Sequence, residues 1–145
     1  MYKRILVPVD GSEGSMKALQ QAVALHRLTG SDLWILTVFR HHGMQEASMS
    51  MVRPSDPENL DDALRSYAKE IAESAKTKAI EMGATAPRAF VKSGQPARTI
   101  VAFAKEHAVD LLVIGSRGVG DLEGYLLGSV SHKVTSLAKC PVLVV

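Results

Sequence analysis

The chain has 145 residues, 46% hydrophobic and 22% charged, which suits one globular domain with a core of its own. Its net charge of +2 comes from 17 scattered basic residues without interleaved aromatics, so the footprint of a nucleic-acid binder is missing. The single cysteine, Cys140, excludes an internal disulfide, and no apolar run reaches the roughly 18 residues of a membrane span.

Met1-Tyr-Lys-Arg4 enters an apolar run directly and has no signal-peptide layout, so a cytoplasmic location is expected. Residues 3–9 (KRILVPV) read as a strand buried on both faces, turned by Gly11, Ser12 and Gly14. Residues 16–28 carry apolar side chains at helical spacing and close with Thr29-Gly30. Residues 32–39 (DLWILTVF) form a second apolar strand. The stretch 40–59 is irregular, with His41, His42, Met44, Met49, Met51, Pro54 and Pro57. Its methionines either pack a lid or partner surface or are disordered. A long helix is expected over 60–82, stopped by Gly83, then a short strand over 88–92. Pro96 is well placed for the first turn of a helix running to about His107. A fourth strand over 110–114, a glycine-rich loop, a helix over 128–138 and a last strand over 141–145 complete the chain. Strands alternating with amphipathic helices imply a parallel sheet covered on both faces.

The glycine-rich loop carries the most information. Gly115-Ser-Arg-Gly118 follows the fourth strand, and Gly128-Ser-Val-Ser131 opens the last helix. Glycines let backbone N–H groups approach a ligand, and a helix start offers unpaired N–H groups with partial positive charge. That combination is a phosphate cradle, with the hydroxyls of Ser129 and Ser131 as further donors. The bland alternative is a chain turn in which Ser129 only caps the helix. Ligands of doubly wound sheets bind beyond the carboxyl ends of strands where the strand order reverses. If the first and fourth strands are neighbours, Asp10 faces the glycine loop across a crevice. An adenine then rests near Asp10 and Val38, with phosphates over Gly118, Gly128 and Ser129. Asp10 either bonds adenine or ribose, or caps the turn that follows it.

Other chemistry is harder to assemble. No Gly-Lys pair exists, so there is no P-loop, and Gly118-Val-Gly120 is followed by Glu123 where a dinucleotide fingerprint needs glycine. Asp121 and Glu123 are either solvated or help a divalent cation near the phosphates. His41 and His42 are adjacent, which is poor spacing for a metal, and no metal-binding or catalytic set is assigned. His26, His107 and His132 fall on predicted helices and are expected at the surface or boundary. Cys140 reads as a small hydrophobe beside Pro141 rather than a nucleophile. The apolar residues 142–145 would form an aggregation-prone edge, remedied by pairing with a second copy or by a covering helix or loop.

Several stretches together resemble the universal stress proteins of the nucleotide-binding branch, over nearly the whole chain. They are Ile5-Leu-Val-Pro-Val-Asp10-Gly-Ser12, Ser93-Gly-Gln-Pro96 with Ile100, Ile114-Gly-Ser-Arg-Gly118, Leu126-Leu-Gly-Ser-Val130 and Cys140-Pro-Val-Leu-Val144. The family pattern G-x2-G-x9-G-[ST] is met by Gly115, Gly118, Gly128 and Ser129. The resemblance implies a single flavodoxin-like α/β domain over 1–145, a five-stranded parallel sheet in the order 3-2-1-4-5, and helices on both faces. It implies a homodimer through the fifth strand, or a dimer of dimers. It also implies ATP as ligand, with magnesium or manganese at the phosphates. Pro8, Val9, Asp10 and Val38 would then line adenine and ribose. Ile114, Gly115, Arg117, Gly118, Gly128, Ser129, Val130 and Ser131 would hold ribose and phosphates. Residues 39–54 resemble a family member associated with a TRAP-type solute transporter, which implies a membrane transporter as partner. The function implied is an ATP-binding regulator whose occupancy sets oligomeric state or partner choice. A slow ATPase or autokinase, and a chaperone-like stress protein that nucleotide merely stabilises, are the alternatives.

Overall fold

A computed structural model of the protein describes residues 1–40, 57–117 and 128–145. Five strands alternate with four helices among them: β1 (Arg4–Pro8), α1 (Glu13–Thr29), β2 (Asp32–Phe39), α2 (Pro57–Glu81), β3 (Arg88–Ser93), α3 (Pro96–Glu106), β4 (Leu111–Ile114), α4 (Ser129–Leu137) and β5 (Val142–Val144). The helix expected from residue 60 starts at Pro57, because the fixed φ of proline suits a first turn. His41, His42, Met44, Met49 and Met51 lie outside the described residues.

All five strands run parallel in the order β3-β2-β1-β4-β5. This is the flavodoxin-like arrangement. The sheet explains the unbroken apolar runs, since side chains alternate between two covered faces. Ile5, Val7, Leu33, Ile35, Leu111 and Val113 point to one face, against Leu19, Ala22 and Val23 of α1 and Ala75 and Ala79 of α2. Leu6, Trp34, Leu36, Leu112 and Ile114 point to the other, against Ile100 and Phe103 of α3 and Val134 of α4. Strand β1 therefore sits at the centre of the core, with Ile5, Leu6 and Val7 wholly buried.

His26 corrects one expectation: it is buried, not at the surface. The Thr85 N–H can only donate, and it reaches His26 Nε2 at 3.0 Å. The ring is therefore the Nδ1-protonated neutral form, and Nδ1 donates to the Ser31 carbonyl at 2.5 Å. The side chain ties the end of α1 to the turn before β3. Its place was readable, since position 26 is in phase with Leu19, Ala22 and Val23 on the buried face of the helix. His132 is exposed, and the half-buried His107 ring lies against Trp34 and Phe103.

The edge at β5 has a defined polarity. Leu112 N–H donates to Pro141 O at 3.0 Å, and Val145 N–H donates to Ile114 O at 2.9 Å. Residues 141, 143 and 145 thus turn their backbone groups to β4. Strand alternation leaves the N–H and C=O of Val142 and Val144 pointing outward. No helix among the described residues is long and apolar enough to cross a membrane.

Candidate functional site

The chain order along the sheet reverses between β1 and β4, which are hydrogen-bonded neighbours. Beyond their carboxyl ends lies a cleft of about 160 Å³. Its lining includes Pro8, Val9, Asp10, Val38, Ile114, Gly115, Arg117, Ser129, Val130 and Ser131, all of which the sequence nominated. Gly128 is buried at the start of α4, immediately before Ser129. Gly118, Asp121 and Glu123 lie outside the described residues. Ser12, Ser15, Leu36, Pro96 and Ile100 also line the cleft and were not nominated. Leu36 had a signal, since it precedes Val38 by two residues on the same strand face.

The cleft has an apolar slot and a polar end. Leu36 and Val38 of β2, Ile114 of β4, and Pro96 and Ile100 of α3 form the slot. The backbone of β2 supplies it with one polar pair. The ladder between β1 and β2 ends where Val9 N–H donates to Leu36 O at 2.9 Å. Val38, two residues further on, turns its N–H and C=O to the same side, beyond the last rung.

The turn after β1 is held by its own side chains. Asp10 Oδ1 accepts from Ser12 N–H at 2.9 Å, and Ser12 Oγ accepts from Ser15 N–H at 3.2 Å, capping α1. Ser15 Oγ in turn donates to Ser12 O at 2.9 Å. Asp10 thus takes the turn-capping role weighed from the sequence while standing at the rim of the cleft.

This turn is locked to the loop leaving β4. A Cβ on Gly115 would lie 2.7 Å from Gly14 O and 3.2 Å from Ser15 N. A Cβ on Gly14 would overlap Arg117 O. The two backbones touch, so Gly115 is a glycine for packing.

Gly128 is a glycine for another reason. It is the N-cap of α4 at φ −64° and ψ 163°, a conformation open to every residue, and no side chain among the described residues caps the helix. Serine or aspartate would hold this position better by a few tenths of a kcal/mol. Its own N–H donates to Ser116 O at 2.6 Å. The N–H groups of Ser129, Val130 and Ser131 form the first turn, at the positive end of the helix dipole. Ser129 is exposed. The Ser131 hydroxyl is turned inward, donating to Ser116 O at 2.8 Å and Gly128 O at 3.1 Å. Arg117 is the only basic side chain, and Asp10 the only carboxylate, lining the cleft among the described residues. No group of three or more His, Cys, Asp or Glu placed to hold a metal occurs among those residues.

The model of the Universal stress protein family matches residues 1–145. The chain belongs to that family.

Among universal stress proteins, YxiE of Bacillus subtilis is 42% identical over 149 residues, covering 100% of this chain and 99% of the relative. A universal stress protein solved in complex with cAMP superposes with a TM-score of 0.72 at 28% identity, covering 99% of this chain and 96% of that one. One from Archaeoglobus fulgidus, solved in complex with dAMP, superposes with a TM-score of 0.67 at 26% identity, covering 99% and 97%.

Proposed function

We propose that this universal stress protein binds ATP in the cleft beyond β1 and β4, and that occupancy regulates its assembly or its choice of partner. The uncapped start of α4, set behind Gly128 and opening on an apolar slot, carries the reading. Adenine occupies the slot between Val38, Leu36, Ile114 and Ile100. Ribose lies near Pro8, Val9 and Asp10. The phosphates meet the N–H groups of Ser129 and Val130, the Ser129 hydroxyl and the Arg117 guanidinium. The relatives solved with cAMP and dAMP support an adenine nucleotide in this fold. Magnesium or manganese, bound through the phosphates, would offset their charge. With no lysine or histidine lining the cleft among the described residues, the arrangement favours holding the nucleotide over turning it over.

The base is chosen by the Val38 backbone. A neighbouring donor and acceptor match N1 and the N6 amine of adenine, whereas guanine presents O6 and N1–H in the reverse sense. ATP is therefore expected to bind at least about tenfold more tightly than GTP, a difference of roughly 1.4 kcal/mol. Calorimetric titration with both nucleotides checks this, and equal affinities would contradict the assignment.

Assembly follows from the β5 edge. The outward N–H and C=O groups of Val142 and Val144, with Leu143 37% exposed beside them, suit antiparallel pairing with the same edge of a second copy. The transporter-like stretch 39–54 falls mostly outside the described residues, and a transporter partner rests on that resemblance alone.

A further inference from the structure

We infer that Ser131 is a positioning residue that couples the phosphate end of the cleft to the open edge at β5; the inference rests on the nucleotide reading above. Ser131 is 3% exposed, and its one hydroxyl hydrogen is shared between two carbonyls, Ser116 O at 2.8 Å and Gly128 O at 3.1 Å. A hydrogen committed in this way is not offered to a phosphate oxygen. The side chain therefore serves the loop, while the donors for an anion are the N–H groups of the same turn.

Ser116 is where the two ends of the site meet. Its carbonyl accepts the Ser131 hydroxyl and also the Gly128 N–H at 2.6 Å. Its own N–H donates to Val145 O at 2.8 Å, and Val145 N–H donates to Ile114 O at 2.9 Å. An unbroken run of hydrogen bonds thus leads from the first turn of α4, through Ser116, to the residue following β5. The outward-facing groups of Val144 belong to the adjoining residue. An anion that draws the N–H groups of Ser129 and Val130 towards itself fixes the first turn of α4. The Ser131 hydroxyl, beside the Gly128 N–H, passes that restraint to the Ser116 carbonyl, and Ser116 passes it to the edge strand. Linkage makes the effect reciprocal: if nucleotide tightens pairing at β5, pairing tightens nucleotide by the same factor.

The test uses the full chain and reads three quantities. These are ATP affinity by calorimetry, the dimer dissociation constant by sedimentation, and amide hydrogen exchange at Ser116 and Val145 by NMR. In the native protein, saturating ATP is expected to slow exchange at both amides and tighten the dimer, each by about tenfold, within the usual range of coupling between sites. At saturating ATP, the response of exchange at Val145 and of the dimer constant should be reduced in Ser131→Ala, because only the Gly128 N–H then still holds the Ser116 carbonyl to α4. Ser131→Thr, which keeps the hydroxyl, should restore the response. Ser129→Ala should weaken ATP binding but leave the response at saturation intact. A full response in Ser131→Ala overturns the coupling, as does loss of the response in Ser129→Ala at saturating ATP. Should Ser131→Ala not fold, Ser131→Cys, whose thiol is a much weaker donor, takes its place and should show the same reduced response, a full response overturning the coupling. ATP bound by the native protein without any change at Val145 refutes the coupling alone. A native protein that binds no ATP refutes the nucleotide reading instead.

Discussion

Gly128→Asp is expected to weaken ATP binding at least about a hundredfold, roughly 2.8 kcal/mol, while the ligand-free protein melts no lower than the native chain. The two halves of this result have one cause. At φ −64° and ψ 163° the backbone of Gly128 accepts any residue, so aspartate introduces no backbone strain there. Its carboxylate takes the N–H groups of Val130 or Ser131 and supplies the cap that α4 lacks. It also sets a negative charge where the phosphates would lie. A cradle is thus converted into an ordinary capped helix, gaining a few tenths of a kcal/mol in the ligand-free protein. Calorimetric titration and a thermal melt of the same sample check both halves. Native-like affinity in this variant would mean that the start of α4 is not where the phosphates bind.

Gly115→Ala should act in the opposite way, on the protein without ligand. The added Cβ would lie 2.7 Å from Gly14 O and 2.8 Å from Gly14 C, against backbone that cannot swing aside as a side chain would. Overpacking of this kind costs about 3 kcal/mol. For a chain of this size that lowers the melting temperature by roughly 6–12 °C. Thermal unfolding in nucleotide-free buffer measures it. An unchanged melt would mean that the first turn of α1 and the loop after β4 are not in backbone contact.

These two glycines show where the sequence was readable and where it was not. The spacing of Gly115, Gly128 and Ser129 is visible by eye, and with the family resemblance it pointed to the cleft. The separate reasons for the glycines were hidden. The partner of Gly115 is Gly14, in the first turn of α1 at the far end of the chain, and no local pattern joins them. The strands were legible because β1, β2 and β4 are covered on both faces and read as unbroken apolar runs. Their order across the sheet came from the resemblance, since periodicity records which face a residue joins and not which strand lies beside it. His26 was misread because a polar side chain was discounted on a helix whose phase places it inside. Pro96 and Ile100 were noted as family-like residues, but their place in the slot depends on how α3 packs over β2 and β4. The inward turn of the Ser131 hydroxyl had no signal in the sequence, because its acceptors are backbone carbonyls.

The nucleotide carried by the purified protein tests most directly whether the cleft holds ATP. Denaturing the protein and identifying what is released by chromatography and mass should yield ATP, close to one per chain. A protein that releases no nucleotide, and that also fails to bind added ATP, would contradict the account and leave the glycine loop with a purely structural role.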